Sequence, residues 1–275
     1  MKNSNANLSE PEPSDYRASL LRERRILEAI RIKKARTDFA DFVRYTKPDF
    51  RMGWFHAELA RLLEEFLSDV IAKRSPRLML FAPPQHGKSE LVSRRFPAYV
   101  LGREPWLRII ATSYGASLAF DLSSDVQAIM DGDLYHRLFP SVVIPGQHAI
   151  RGAAVRRIDN FGIVGHGGSY RAAGVDGAVT GKSAEILLVD DPFKNCLEAH
   201  SLAIRDGIWK NFVTALRTRV QDGGGILIVS TRWHLDDLCG RLLEVGIFAA
   251  EIRSHLEMLW SVDHVKYVQS ASPSK

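Results

Sequence analysis

The stretch that decides the fold is RLMLF at residues 77–81, followed by APPQHGKS at 82–89 and ELVSRRF at 90–96. The first segment has the length and the continuous apolar character of a buried strand, and the third can form a helix. A loop between a strand and a helix can bind phosphate, because its backbone N–H groups and the helix N-terminus both face the anion. The sequence therefore predicts a phosphate-binding loop at residues 82–89.

The end of this loop matches the G-x-x-x-x-G-K-[ST] pattern of phosphate loops, although Ala82 stands where the pattern has its first glycine. Gly87 is expected to let the backbone approach the nucleotide. Lys88 is expected to reach the β- and γ-phosphates of a nucleotide, and Ser89 to ligate Mg²⁺. A second GKS triplet at 181–183 precedes a strand instead of a helix. We expect it to be a loop near the site.

Helical and strand-like patterns alternate along the chain. Helices are predicted at 18–36, 54–72, 115–130 and 201–219, strands at 107–112, 185–189 and 226–229, and irregular β-structure in the glycine-rich stretch 161–181. Short, fully apolar strands between helices indicate a buried parallel sheet. The predicted fold class is α/β, with a mostly parallel sheet flanked by helices and an N-terminal helical arm.

Composition limits the possible classes of protein. The 275 residues are 45% hydrophobic and contain two cysteines, which is enough for one substantial core and too little for a disulfide framework. The sequence has no apolar run of membrane-spanning length and no signal peptide at its start, so we expect a cytoplasmic protein without membrane association.

The net charge of +5 comes from one segment. Residues 17–36 contain eight basic residues and two glutamates, so the rest of the chain carries about −1. This arm could neutralise DNA phosphates or dock on an acidic partner, or it could be a solvated helix face. The predicted organisation is a disordered N-terminus (1–16), a basic helical arm and linker (17–53), a nucleotide-binding domain (54–246) and a tail (247–275).

Two further strands are expected to bring polar groups to the loop. Asp190 and Asp191 follow the apolar strand 185–189. Asp190 is expected to hold Mg²⁺ and Asp191 to activate the attacking water. Alternatively, the pair only caps the next helix. Thr231 and Arg232, after the strand at 226–229, are candidates for sensing the γ-phosphate.

Together these segments resemble the ATPase domain of tailed-phage large terminases. The resemblance rests on APPQHGKSE (82–90), IIATSYG (109–115), LLVDDP (187–192) and IVSTRWH (228–234), with GSYRAAG (168–174) as a further segment, and covers roughly residues 40–245. It implies a P-loop fold of the ASCE type and a Mg²⁺-dependent ATPase that drives double-stranded DNA into a procapsid. It also implies a homo-oligomeric ring, with the portal protein and the small terminase subunit as partners.

The resemblance also implies roles for individual residues. It assigns ATP binding to Pro84, Gln85, His86, Gly87, Lys88, Ser89, Glu90 and Thr231, with His56 on the adenine side. It assigns catalysis to Lys88, Asp190, Asp191 and Arg232, Mg²⁺ binding to Ser89 and Asp190, and ATP coupling to the segment 230–232.

The sequence departs from the family in two places. Gln85 occupies a loop position where relatives often have arginine, so Arg171 or an arginine of a neighbouring subunit is a candidate for the transition-state charge. Relatives continue into an RNase H-like nuclease, whereas about thirty residues follow Gly246, and we expect no nuclease activity. Two rivals remain, namely another P-loop translocase or helicase, and a non-hydrolysing prophage remnant that binds only DNA or partner subunits.

Overall fold

The structure, a computed structural model, describes residues 13–146, 155–177, 179 and 181–246. Within these residues, three helices precede the first strand: α1 (Pro13–Ala35), α2 (Phe39–Thr46) and α3 (Trp54–Ile71). Helix α1 begins four residues inside the segment predicted to be disordered, whose residues 1–12 lie outside the described part. The predicted tail 247–275 also lies outside it.

Helix α2 occupies a segment that the sequence predicts to be part of the linker. Asp38 caps it, since its side chain accepts a 2.8 Å hydrogen bond from the backbone N–H of Asp41. The helix buries Phe39, Phe42 and Val43 in the same core as α3. The boundary predicted at residue 54 therefore falls within one core.

The centre of the fold is a six-stranded sheet. Its strands are β1 (Arg77–Phe81), β2 (Arg108–Ser113), β3 (Asn160–Gly162), β4 (Ser169–Gly174), β5 (Ala184–Asp190) and β6 (Val220–Ser230). Their order is β1-β6-β5-β2-β4-β3, and every neighbouring pair is parallel except β3 with β4. The predicted mostly parallel sheet is confirmed. Strand β6, the last of the described strands, lies between β1 and β5.

Helices cover both faces of the sheet. A π-helical segment (Glu90–Arg95) continues into α4 (Phe96–Arg103), and these are followed by α5 (Ala116–Met130), α6 (Asp133–Leu138), α7 (Cys196–His200), α8 (Leu202–Asn211) and α9 (Leu238–Glu244). The helix predicted at 201–219 is α8 continued by a π turn at Phe212–Leu216 and a 3₁₀ turn at Arg217–Arg219. None of the helices in the described residues combines the length and the apolar character that a membrane span needs.

Alternating residues of the central strands enter two separate cores. In β5, Ile186 and Leu188 pack on the side of α3, α4 and α5, whereas Leu187 and Val189 pack on the side of α8 and α9. Both faces of the strand are buried, which explains why its sequence is apolar without alternation. Each such side chain contributes about 1.5–3 kcal/mol by leaving water.

The parallel arrangement sorts the loops onto two edges of the sheet. Phe81 pairs with Ser230, and Asp190 with Val229, so the loops after β1, β5 and β6 share one edge. The second GKS triplet precedes β5 and lies at the opposite edge, where Ser183 Oγ accepts a hydrogen bond from Arg108, the first residue of β2. The expectation that this triplet lies near the site is therefore wrong.

Candidate nucleotide site

The loop between β1 and the next helix turns through two residues of left-handed conformation. Gln85 has φ of 65° and Gly87 has φ of 75°. Glycine suits the second position, because a Cβ there would lie 3.1 Å from Nε2 of His56. Gln85 adopts this conformation without being glycine, which stores strain in the loop. Pro84, Gln85 and His86 are exposed to solvent.

Lys88 joins the loop to two other strands. Its side chain is buried, with the ammonium 2.6 and 2.7 Å from the two carboxylate oxygens of Asp191 and 2.7 Å from Oγ1 of Thr231. The backbone N–H of Thr231 donates to the same carboxylate at 2.7 Å. A loop lysine, an acid after β5 and a hydroxyl after β6 thus form one hydrogen-bonded group.

The backbone of Asp191 is held from both sides. Its N–H donates to Val229 O at 2.8 Å, and its carbonyl accepts from the N–H of Tyr114 at 3.1 Å. With φ of 44° the residue is left-handed, a conformation that aspartate tolerates better than most residues. These bonds direct the carboxylate towards Lys88 instead of along the strand.

Asp190 lies beside this group and is almost fully buried. Ser93 Oγ donates to its Oδ2 at 2.6 Å, while its Oδ1 has no hydrogen-bond partner within the described residues. Burial, and then the negative charge of Asp191, raise the pKa of Asp190 to about 6, against the opposing effects of Ser93, Lys88 and Ser89. A cation at this position would favour the ionised carboxylate.

The oxygen atoms around Asp190 suit Mg²⁺. Magnesium prefers carboxylate and hydroxyl oxygens and keeps several waters of its own. Asp190 Oδ1 is a buried acceptor that receives no hydrogen bond from the part of the chain that the structure describes, and Ser89 lies near enough to lower the pKa of the same carboxyl. Ser89 and Asp190, the predicted Mg²⁺ ligands, therefore fit this ion in their chemistry.

Arg232 does not join this group. Its Nε donates to Oδ2 of the buried Asp237 at 2.9 Å, and its guanidinium lies over the ring of Phe81, 5.2 Å from the centroid. Asp237 also caps α9 by accepting from the N–H of Gly240. The contacts of Arg232 are those of a structural ion pair, in contrast to its predicted catalytic role.

Two other candidates have contacts or positions that do not connect them to Lys88 or Asp191. Glu90 pairs with Arg95 at 2.9 Å and with Lys47 at 3.8 Å, and it lines a separate cleft between α2 and α5. Arg171 is paired with Ile110 in the sheet, three residues before β4 ends at Gly174. The structure therefore gives no support to Glu90 as an ATP ligand or to Arg171 as the source of transition-state charge.

Sequence reasoning missed Ser93, although a signal for it was present. Ser93 follows Ser89 by four residues, and residues four apart lie on the same face of a helix. The π-helical geometry of Glu90–Arg95 changes the side-chain directions along this turn, and no propensity rule predicts it. Asp237 was missed although it lies five residues after Arg232, because the chain between them forms a turn and no helical or strand spacing relates the two residues.

The sheet order and the flanking helices define an α/β fold, in which the loop after β1 and the acids at the end of β5 lie at one edge of a largely parallel sheet. The family described as "Terminase large subunit, T4likevirus-type, N-terminal" matches residues 79–218, which is just over half of the chain. The chain belongs to this family of terminase large subunits.

Among solved structures, the crystal structure of the HK97 bacteriophage large terminase is similar, with 13% sequence identity and a TM-score of 0.44. The match covers 74% of this chain and 38% of that one, so the chain spans well under half the length of that terminase. No curated protein matches the sequence.

Proposed function

We propose that the chain is the ATP-hydrolysing motor domain of a phage or prophage DNA-packaging terminase. It would couple Mg²⁺-dependent ATP hydrolysis to the movement of double-stranded DNA into a procapsid. The observation that carries this proposal is the convergence of Lys88, Asp191 and Thr231, contributed by three segments far apart in the chain. Family membership supports the terminase assignment.

The proposed chemistry uses groups already in contact. An incoming γ-phosphate attracts the Lys88 ammonium, which now neutralises Asp191. Asp191, still held by the N–H of Thr231, then orients the attacking water and accepts its proton at a carboxylate oxygen. Ser89 and Asp190 would hold Mg²⁺, which would supply positive charge to offset the negative charge of the phosphates. Thr231 thereby links hydrolysis to β6.

The proposed partners are double-stranded DNA, the portal protein and the small terminase subunit, with the chain acting in a homo-oligomeric ring. Arg232 is engaged with Asp237, and Gln85 is neutral. An arginine from the neighbouring subunit is therefore the better candidate for stabilising transition-state charge, an effect worth roughly 10³–10⁵ in rate.

The test measures ATP turnover by the purified chain with Mg²⁺, alone and with DNA and portal protein. Lys88→Ala and Asp191→Asn should abolish turnover. Lys182→Ala is the matched control, because this exposed lysine belongs to a GKS triplet at the opposite edge of the sheet, and it should hydrolyse ATP like the wild type. Thermal unfolding shows that each variant is folded.

Two results would contradict the proposal. Absence of turnover under every condition would favour the non-hydrolysing remnant. DNA unwinding without any dependence on portal protein would favour another P-loop translocase or helicase.

A further inference from the structure

His56, in the first turn of α3, contacts the phosphate loop from outside. Its Nδ1 lies 3.0 Å from the backbone N of Gly53, and its Nε2 lies 3.1 Å from the carbonyl oxygen of His86. One protonation state satisfies both contacts, namely a neutral ring that accepts at Nδ1 and donates from Nε2. The assignment follows from the partners, since Gly53 can only donate and the His86 carbonyl can only accept.

Neighbouring side chains hold the ring in place. Phe50 and Phe55 meet it edge to face, with ring centroids 5.0 and 5.3 Å away. A Cβ on Gly87 would lie 3.1 Å from Nε2, so the ring also lies directly against the loop backbone. Both ring nitrogens are engaged, which leaves no polar atom of His56 for a nucleotide base.

The contact with His86 determines how the next peptide group is oriented. The carbonyl of His86 and the N–H of Gly87 belong to one planar trans peptide, in which the two groups point in opposite directions. Holding the carbonyl towards α3 therefore directs the Gly87 N–H away from α3, into the loop. Inward N–H groups are what a phosphate loop uses to bind its anion.

We propose that His56 is a positioning residue that holds the phosphate loop in its anion-binding conformation, and that it does not contact the adenine. The inference rests on the proposed nucleotide-binding function and assigns His56 a role different from the one implied by the family resemblance. Its consequence is that binding of any polyphosphate depends on His56, whether or not a base is attached.

Two near-isosteric substitutions separate the contacts of the ring. His56→Asn keeps an acceptor near the Nδ1 position for Gly53 but cannot reach His86. His56→Gln places an amide N–H donor near the Nε2 position. The asparagine variant should therefore keep the helix cap and lose the loop contact, whereas the glutamine variant should keep the loop contact.

The experiment titrates the full chain with a fluorescent ADP analogue and displaces it with ATP or with inorganic tripolyphosphate. His56→Asn and His56→Ala should weaken the binding of ATP and the binding of tripolyphosphate by the same factor, about tenfold for one lost hydrogen bond. His56→Gln should stay within about threefold of the wild type. Thermal unfolding of His56→Asn should remain near that of the wild type.

The outcomes separate this inference from the proposed function. If ATP binding weakens while tripolyphosphate binding does not, His56 contacts the base and the inference is overturned. Unchanged binding in both the asparagine and the alanine variants would also overturn it. If the wild type binds neither ligand, the proposed function fails together with the inference.

Discussion

Replacing Asp190 by asparagine is expected to stabilise the folded chain at neutral and alkaline pH. Burial and the charge of Asp191 raise the pKa of this carboxyl from 3.8 to about 6. Between these pH values the folded chain holds a proton that the unfolded chain has lost. The free energy of unfolding therefore decreases as pH rises through this window and stays lower above it. A shift of about two units corresponds to about 3 kcal/mol.

Asparagine does not ionise, so the variant avoids this loss. It should be more stable than the wild type by up to about 3 kcal/mol above pH 6, and the difference should vanish near pH 4. The same variant should have no ATPase activity, because it lacks the proposed Mg²⁺ carboxylate. Stability and activity would thus change in opposite directions at one residue, as they often do at functional sites.

The assay is urea unfolding at pH 4 and pH 8, followed by tryptophan fluorescence, with a chelator present and no nucleotide. When the chelator is replaced by Mg²⁺, the difference in stability between the variant and the wild type at pH 8 should become smaller, because the cation stabilises the ionised carboxylate of the wild type. Asp222→Asn, which changes an exposed carboxylate on β6, is the control and should unfold like the wild type. Two results would refute the reasoning. The asparagine variant could be no more stable than the wild type at pH 8, or it could exceed the wild type in stability by the same amount at both pH values.

Three further predictions concern packing and positioning. Arg232→Ala should lower the free energy of unfolding, measured in urea, by about 3–5 kcal/mol because it leaves the buried Asp237 without its ion-pair partner. Adding Asp237→Asn should recover part of this loss, and wild-type stability of the single variant would exclude a structural ion pair. Gly102→Ala should lower the free energy of unfolding, measured by thermal unfolding, by about 1–3 kcal/mol, since the new Cβ would lie 2.3 Å from the ring of Phe139. Unchanged stability would mean that the ring moves aside freely. Ser93→Ala should weaken Mn²⁺ binding to the nucleotide complex, measured by electron paramagnetic resonance, because Asp190, the proposed Mg²⁺ ligand, loses a donor 2.6 Å away, and Ser93→Thr should restore the binding. Equal binding in all three proteins would contradict the role of the hydroxyl.

Much of the fold could be predicted because its signals are local. The apolar run 77–81, the loop 82–89 and the helical residues after it appear in the structure as predicted, and so does the apolar strand that ends at Asp190. In each case a few adjacent residues define the element. Helix α2 was missed because its apolar residues occupy only two turns, and the core that covers them comes from distant parts of the chain.

The sequence by itself determined the class of fold, the phosphate loop and the pair of acids, since residue types and short spacings suffice for these. Only the tertiary structure decided that β6 lies between β1 and β5, which brings Thr231 to Lys88 and Asp191. It also turned Arg232 towards Asp237 and placed the second GKS triplet at the far edge of the sheet. Strand order and the contacts of Thr231 depend on residues far apart in the chain, and such contacts leave no local pattern. Arg232 and Asp237 lie only five residues apart, but the chain between them forms a turn, so no helical or strand spacing relates their side chains.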